Sequence, residues 1–413
     1  MKRKWFQYSL RSLVLLMLTA GAAVTLWRNF APWTLERVLE GHTKDVNFAA
    51  FSPDGKYVVT QSDDDTVRVW DAQTGETRLK VNSDLKGISR SIFSPDSKSV
   101  VIAEKVNAED SDGLYPASIC DIKTGQKRIL EKSPLRCCYA LFSPDGRFVA
   151  IVRDHSELIG NLQIRNADDG VLRWSNGKSD PKLFARFSPD SKRIVTISEA
   201  HKAVLWNADD GDRGGLIDEM GNDDDEHAIF SPDSRSVAIV VDTGVLICDV
   251  ESRRVKRVLK NRGSIRVLAY SPDGKNIASG DDPEVWDVES GTKLFELKCD
   301  KAVETLEYSP DGRLIQTAWS DGAVRIWDAK TGLQCAEFFE NTHKKYLNDS
   351  EFSPDGQRIV TASHDETAQI WQRRRPEAWW GVAWLPEFWM AIVFAVALIW
   401  SVRRDRVAET KRI

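Results

Sequence analysis

Methionine and histidine are scarce in this chain, at four and six among 413 residues. The histidines supply no HExxH pair. The six cysteines, Cys120, Cys137, Cys138, Cys248, Cys299 and Cys335, form no CxxC and no disulfide framework. A GxSxG turn and a phosphate-binding glycine loop are missing too. These absences remove the common zinc, serine-hydrolase and nucleotide chemistries, so neither metal nor cofactor is expected. Positive charge is also short: the net charge is −5, with 29% charged and 42% hydrophobic residues. That balance is globular and does not suit a nucleic-acid partner. Scattered thiols in β-type surroundings read as small packing residues, although unpaired thiols are commoner in reducing compartments.

What is plentiful is tryptophan, fifteen in all, and eight of these lie in the flanks. From Ser12 to Trp27 the chain carries no charge. Residues 12–28, behind a basic tail at 1–11, therefore read as a transmembrane anchor with Arg11 and Arg28 snorkelling at its ends. Lys2, Arg3 and Lys4 before the apolar run, and Ala20-Gly21-Ala22 after it, also fit a cleavable signal peptide. A second span is expected at 384–402, with Trp379, Trp380, Trp384 and Trp400 as aromatic belts. A linker at 373–383 precedes it and a basic tail at 403–413 follows. The tails hold nine Lys and Arg, against six on the inner flanks. The positive-inside rule then predicts a cell-membrane protein with cytoplasmic tails and its middle outside the cytoplasm.

The middle is repetitive. Ser-Pro-Asp followed by Gly or Ser occurs with prolines at Pro53, Pro95, Pro144, Pro189, Pro232, Pro272, Pro310 and Pro354, at intervals of 38 to 49 residues. Each copy follows Phe or Tyr. Proline fixes φ, Asp bonds the backbone ahead, and Gly takes the left-handed conformation, so each copy is a tight turn. A β-branched run follows, then a second run ending in Trp or a substitute, then a turn such as DAQTG at Asp71–Gly75. Three strands, two turn types and a fourth strand make one antiparallel sheet per period.

These residues resemble the WD repeat (WD40) family. Trp70-Asp71, Trp286-Asp287 and Trp327-Asp328 carry its dipeptide and Gly41-His42 its opening pair. The resemblance covers Leu35 to Gln372 and implies an all-β, closed propeller of about eight four-stranded blades over residues 34–372. The last repeat stops after Trp371 without a fourth strand, and Thr34–Gly41 is a spare strand. Pairing the two would close the ring and remove both sheet edges.

The resemblance also implies two structural hydrogen-bond sets: His42, Ser62, Asp64 and Trp70, and His343, Ser363, Asp365 and Trp371. A catalytic reading of these histidines is set aside for a buried polar network. Cys120, Arg165 and Cys248 stand at the Trp position elsewhere, which predicts looser blades. The family's binding face is formed by the loops joining strand d to a and b to c. Those loops hold Asp63, Asp65, Glu109, Asp110, Asp112, Asp154, Glu157, Asp223, Asp224, Asp225, Glu226, Asp281, Asp282 and Glu366, answered by Lys44, Arg153 and Lys202. Turn chemistry alone also places Asp there, and neither acidic cluster has the spacing of a calcium loop. The expected function is non-enzymatic: a membrane-tethered scaffold for a protein or peptide, of basic character if the acids form one face. An extracytoplasmic sensor or accessory subunit for a small ligand or cation is the alternative. A quinoprotein-like enzyme is a remote third, supported only by Trp174 after NADDG.

Overall fold

The computed structural model describes residues 33–82, 92–103, 115–133, 137–153, 162–176, 183–198, 203–217, 228–241, 244–260, 265–298, 301–338 and 346–373. Both expected membrane segments, their tails and all of the linker beyond Arg373 lie outside these residues. Among the described residues no helix is long and apolar enough to cross a membrane. Leu35–Gln372 forms a compact unit of its own.

That unit is an eight-bladed β-propeller. Blade 1 comprises strands a to d at Val46–Phe51, Tyr57–Ser62, Thr66–Asp71 and Thr77–Asn82, paired in that order. Blades 3 to 7 repeat it, starting at Cys137, Leu183, Ala228, Leu268 and Val303. Blade 2 pairs Ser99–Ala103, Tyr115–Asp121 and Lys127–Ser133, and the bridge between Phe93 and Val100 marks the place of its strand a. In blade 8 the order is Leu347–Phe352, Arg358–Ser363, Ala368–Arg373 and then Trp33–Leu39. The spare N-terminal strand thus supplies the missing strand d, and the ring closes.

Each a–b turn is built identically. The Ser hydroxyl donates to the Asp carboxylate at 2.5–2.7 Å in all eight copies. It also accepts the N–H five residues on, as from Tyr57 at 2.9 Å. The residue after Asp has positive φ: Gly55 at 68°, but Ser97, Ser191 and Ser234 at 60–61°. These serines compensate. The Oγ of each accepts a backbone N–H from the preceding blade's turn, from Asp54, Asp145 and Asp190, all at 3.0 Å.

The core lies between blades. Leu39, Val46, Phe51 and Trp70 pack with Val360, Ala368 and Ile370, joining blade 1 to blade 8. Polar contacts cross the same junction: Arg358 Nη2 donates to Gly55 O at 2.6 Å, and Asn348 Nδ2 to Val46 O at 2.9 Å.

A second contact latches blades at the rim. A strand-d side chain of one blade lies on the c–d turn glycine of the next. Trp174 covers Gly211 and donates Nε1–H to Ala208 O at 2.9 Å. Phe295 covers Gly332 so closely that a Cβ there would stand 2.4 Å from the ring. At blade 5 the arrangement inverts. The turn position is Arg253, at φ 60°, and the facing strand-d position of blade 4 is Gly215, whose added Cβ would lie 2.9 Å from the Arg253 stem.

Candidate partner-binding face

The polar set of blade 1 reads as a one-way chain of hydrogen bonds. Trp70 Nε1–H donates to Thr60 Oγ1 at 2.7 Å, and Thr60 Oγ1 lies 2.7 Å from His42 Nε2. His42 Nδ1 lies 3.0 Å from Asp64 Oδ2, while Thr66 donates to Asp64 Oδ1 at 2.6 Å. With the Nδ1–H tautomer every group is satisfied by a neutral imidazole. Burial holds the imidazole below its usual pKa. Burial opposes ionisation of Asp64 too, but hydrogen bonds from Thr66 and His42 win and bring its carboxyl down to about 2. The His42 side chain is 0% exposed, so no substrate reaches it.

The hydroxyl in this chain is Thr60, where the sequence pointed to Ser62. Ser62 instead donates to Lys44 O at 3.0 Å and accepts Asp64 N–H at 3.1 Å, fixing the b–c hairpin. The Trp–Thr pair recurs ten residues apart: Trp206 to Thr196 at 2.8 Å, Trp327 to Thr317 at 2.8 Å and Trp371 to Thr361 at 3.2 Å. A Thr ten residues before these four Trp residues was readable in the sequence. In blade 8, Ser363 Oγ donates to Tyr346 O at 3.0 Å and Asp365 accepts from Thr367 at 2.7 Å, whereas His343 lies outside the described residues.

Substitution at the Trp position does not simply leave a gap. Arg165 bonds Glu131 at 3.3 Å and Gly170 O at 2.9 Å, and Arg153 lies 3.3 Å from the same Glu131. Arg153 is therefore buried within the wall beside Glu131, a correction to its expected place on an exposed loop. Cys120 and Cys248 are buried thiols packed in the core, as Cys335 is buried on strand d of blade 7.

The b–c hairpins stand on one face with the d–a connections. Asp63, Asp65, Asp282 and Glu366 are exposed there, with Lys44, while Asp281 is half-buried 3.9 Å from Arg266. Asp63 accepts from Asn47 at 2.5 Å. Glu109, Asp110, Asp112, Asp154, Glu157, Asp223, Asp224, Asp225, Glu226 and Lys202 lie outside the described residues. Among the described residues no three His, Cys, Asp or Glu side chains form a metal-sized cluster.

Two concavities adjoin this face. A cleft of about 610 Å³ is lined by Lys301, Glu304, Asp321, Tyr346, Asn348 and His364. Tyr346 is 64% exposed and meets the His364 ring edge-on at 6.2 Å. His364 Nδ1 lies 2.6 Å from Asp45 Oδ2, and Arg325 donates to Asp321 at 2.8 Å. A cavity of about 780 Å³ lies along the inner strands, with Arg186, Arg266, Glu307, Asp349 and Tyr308 on its wall. Glu307 accepts from Gln316 at 3.1 Å and from Phe352 N–H at 3.0 Å, which ties its carboxylate to the ring.

Fold and hydrogen-bond sets together define an eight-bladed β-propeller with polar sets similar to those of WD repeats. The model of the WD domain, G-beta repeat, matches residues 33–71 and 334–372. That of the anaphase-promoting complex subunit 4 WD40 domain matches residues 284–347. Each G-beta match begins with strand d of one blade and ends with strand c of the next. The rat (Rattus norvegicus) apoptotic protease-activating factor 1 is 27% identical over 71% of this chain and 22% of its own length. The WD repeat-containing protein 26 homologue of Drosophila melanogaster is 26% identical over 69% of this chain and 46% of its own. That of Arabidopsis thaliana is 24% identical over 72% and 50%. The chain thus spans half or less of these relatives. The matches support the WD40 repeat family.

Proposed function

We propose that this chain is a non-enzymatic, membrane-tethered scaffold that holds a protein or peptide partner on the b–c hairpin face, with the propeller outside the cytoplasm and both tails inside. The observation that carries the binding reading is the cleft around Tyr346. An exposed aromatic beside Asp321, Glu304 and the Asp45–His364 pair offers a stacking surface ringed by acceptors. Such a site suits a basic side chain, because carboxylates give charge complementarity and the ring gives cation–π contact. The likeness to WD repeat proteins supports a binding module, since propellers carry function in their loops. Tethering is supported by the two apolar, Trp-rich runs of the sequence.

The test is retention of partners by the detergent-solubilised full chain, compared between wild type and Tyr346→Ala with Asp321→Asn. Loss of the wild-type partner set in the double variant is expected. Unaltered retention would move the site elsewhere. Reporter fusions at the C-terminus and within residues 106–115 test the topology, and cytoplasmic activity of the loop fusion overturns it. The inner cavity favours a second reading, a small anionic ligand reaching Arg186 and Arg266, because its volume falls in the range of ligand sites.

A further inference from the structure

The rim latch fails at one junction. Leu79, on strand d of blade 1, pairs with Val69 beside the strand's register shift. Trp174, Arg257 and Phe295 stand at the same place in blades 3, 5 and 6, opposite Ile164, Ile247 and Val285. Each of those three side chains lies over the c–d turn glycine of the next blade, Gly211, Gly291 and Gly332. Leu79 does not. It is half-buried and packs inward on the core that joins blades 1 and 2. Gly125, the turn glycine facing it, has φ 68° and no neighbouring atom within 4 Å of where a Cβ would stand. Gly75 and Gly170 are covered by Arg37 and Leu130, so Gly125 alone among the described c–d turn glycines is open.

A cleft of about 440 Å³ lies at this turn, lined by Tyr57, Thr77, Arg78, Ile122 and Lys123. Its volume falls in the range of ligand sites. The filled latches show what such a place accepts. At the blade 4 turn the Trp174 ring covers Gly211, and its Nε1–H donates to Ala208 O at 2.9 Å. The blade 2 turn closes in the same way: Gly125 N donates to Asp121 O at 2.9 Å, and Gly211 N to Asn207 O at 3.0 Å. Ile122 corresponds to Ala208, and no described residue donates to its carbonyl. Both charged side chains of the lining are cations. Asp71 holds Arg78 at 2.9 Å and also accepts the N–H groups of Gln73 and Thr74. Asp121 is committed to the N–H groups of Lys123 and Thr124 and to the Thr124 hydroxyl. Glu76, 68% exposed, stands 3.6 Å from Arg78 and offsets part of the positive charge. Shape is therefore the primary attraction and charge the secondary one.

We propose that this cleft between blades 1 and 2 is a docking site for a partner-protein segment that presents a tryptophan beside acidic residues. The indole takes the place that Trp174 takes within the chain, with its face on Gly125 and its N–H on Ile122 O. The acidic neighbours meet Arg78 and Lys123. A glycine without a covering side chain admits a close approach, and tryptophan is prominent among the side chains that anchor interfaces from such pockets. The site is separate from the Tyr346 cleft and independent of that reading, since its lining belongs to the c–d turn side of blades 1 and 2.

Fluorine NMR of a short peptide tests it with the detergent-solubilised full chain. The probe is acetyl-Asp-Glu-Trp-Glu-Asp-amide carrying 5-fluorotryptophan, with empty micelles as reference. A shift and broadening of the fluorine line on adding protein are expected. A peptide with lysines in place of its acids should bind several-fold more weakly. Leu79→Trp supplies a ring over Gly125 from within the chain. It should weaken the peptide by about tenfold, with a melting temperature equal to or above that of the wild type. Lys123→Glu, an exposed change, gives a second variant: it should weaken the peptide several-fold and leave folding unchanged. Wild-type protein that leaves the line unmoved at millimolar peptide overturns the proposal. So does binding that survives in folded Leu79→Trp or Lys123→Glu, or that the lysine peptide matches. A wild-type dimer in sedimentation that Leu79→Trp dissolves assigns the cleft to a second copy of the chain, and likewise overturns it.

Discussion

At the scale of single residues, the Trp70–Thr60–His42–Asp64 chain is a directional device: each donor has one acceptor, and reversing one link strands the rest. Thr60→Ala leaves Trp70 Nε1–H and His42 Nε2 without their common partner, which costs about 1–3 kcal/mol for a buried group. Ser62→Ala should cost less, because its contacts lie at the hairpin. Urea midpoints of the two variants check the order. Acid weakens the same network, and the sign follows from depressed pKa values. Unfolded His42 protonates below about 6.5, whereas the folded ring resists, so stability falls as pH drops through that range. Asp64 adds a second loss below 3.8, approaching its folded value of about 2. His42→Gln should flatten the first limb of the midpoint-against-pH curve. An equal slope in both proteins would show that other groups set it.

The turn serines supply a sharper comparison. Ser97 sits at φ 60° and accepts Asp54 N–H from the neighbouring blade. Ser97→Gly relieves the left-handed backbone while losing the bond, so its effect should be within about 1 kcal/mol of zero. Ser97→Ala keeps the strain and loses the bond, and should cost about 1 kcal/mol more than the glycine variant. Calorimetric unfolding of the pair checks the difference. The turns themselves were legible because Ser, Pro, Asp and Gly act on their own backbone. The compensating bond was not, since Asp54 and Ser97 are 43 residues apart. Thr60 was missed for a related reason. Val58 pairs with Trp70, so Thr60 is two residues along the same face and Ser62 four, roughly 13 Å at strand rise and beyond an indole's reach.

At the scale of elements, the rim latches explain why blades of unequal sequence still stack. A c–d turn glycine needs positive φ and also lies under a ring or stem from the blade before. Gly332→Ala would meet both penalties, with Phe295 only 2.4 Å from the new carbon, and should lower the melting temperature by several degrees. Shortening the ring with Phe295→Leu in the same chain should recover part of the loss. The inverted pair at blade 5 carries the opposite expectation: Arg253→Gly removes left-handed strain and should be neutral or stabilising by up to about 1 kcal/mol. Inter-blade pairs such as these join residues about 40 apart in sequence. They become readable only after the repeats are laid over one another. Arg153 illustrates the limit: its partner Glu131 belongs to another blade, and nothing local distinguishes a buried arginine at a strand end from one on a loop.

At the scale of the molecule, eight turns and one absent strand made the closed ring legible, because an unpaired edge on each end is a physical debt that only the N-terminal strand can meet. The face carrying the cleft was legible only in outline. Its acids were placed by hairpin position, whereas Tyr346, His364 and Asp321 come together from separate connections of blades 7 and 8. Replacing Val38 and Leu39 by Asp should unzip closure: Leu39 is fully buried in the joint core of blades 1 and 8. A lowered melting temperature and a less steep unfolding transition are expected, with concentration-dependent association through the freed edges.

The closure strand has a consequence in time. Trp33–Leu39 is made first, while its neighbour Ala368–Arg373 is made last. At typical synthesis rates of 5–20 residues per second, roughly 20–70 s separate the two. Throughout that interval the oldest strand has no place to dock, and the half-built core around Leu39, Val46 and Trp70 stays open on one side. Every ribosome translating this chain therefore carries a sticky, incomplete arc of blades until the final repeat emerges. The protein's greatest exposure to misassembly with its neighbours falls before its birth is complete.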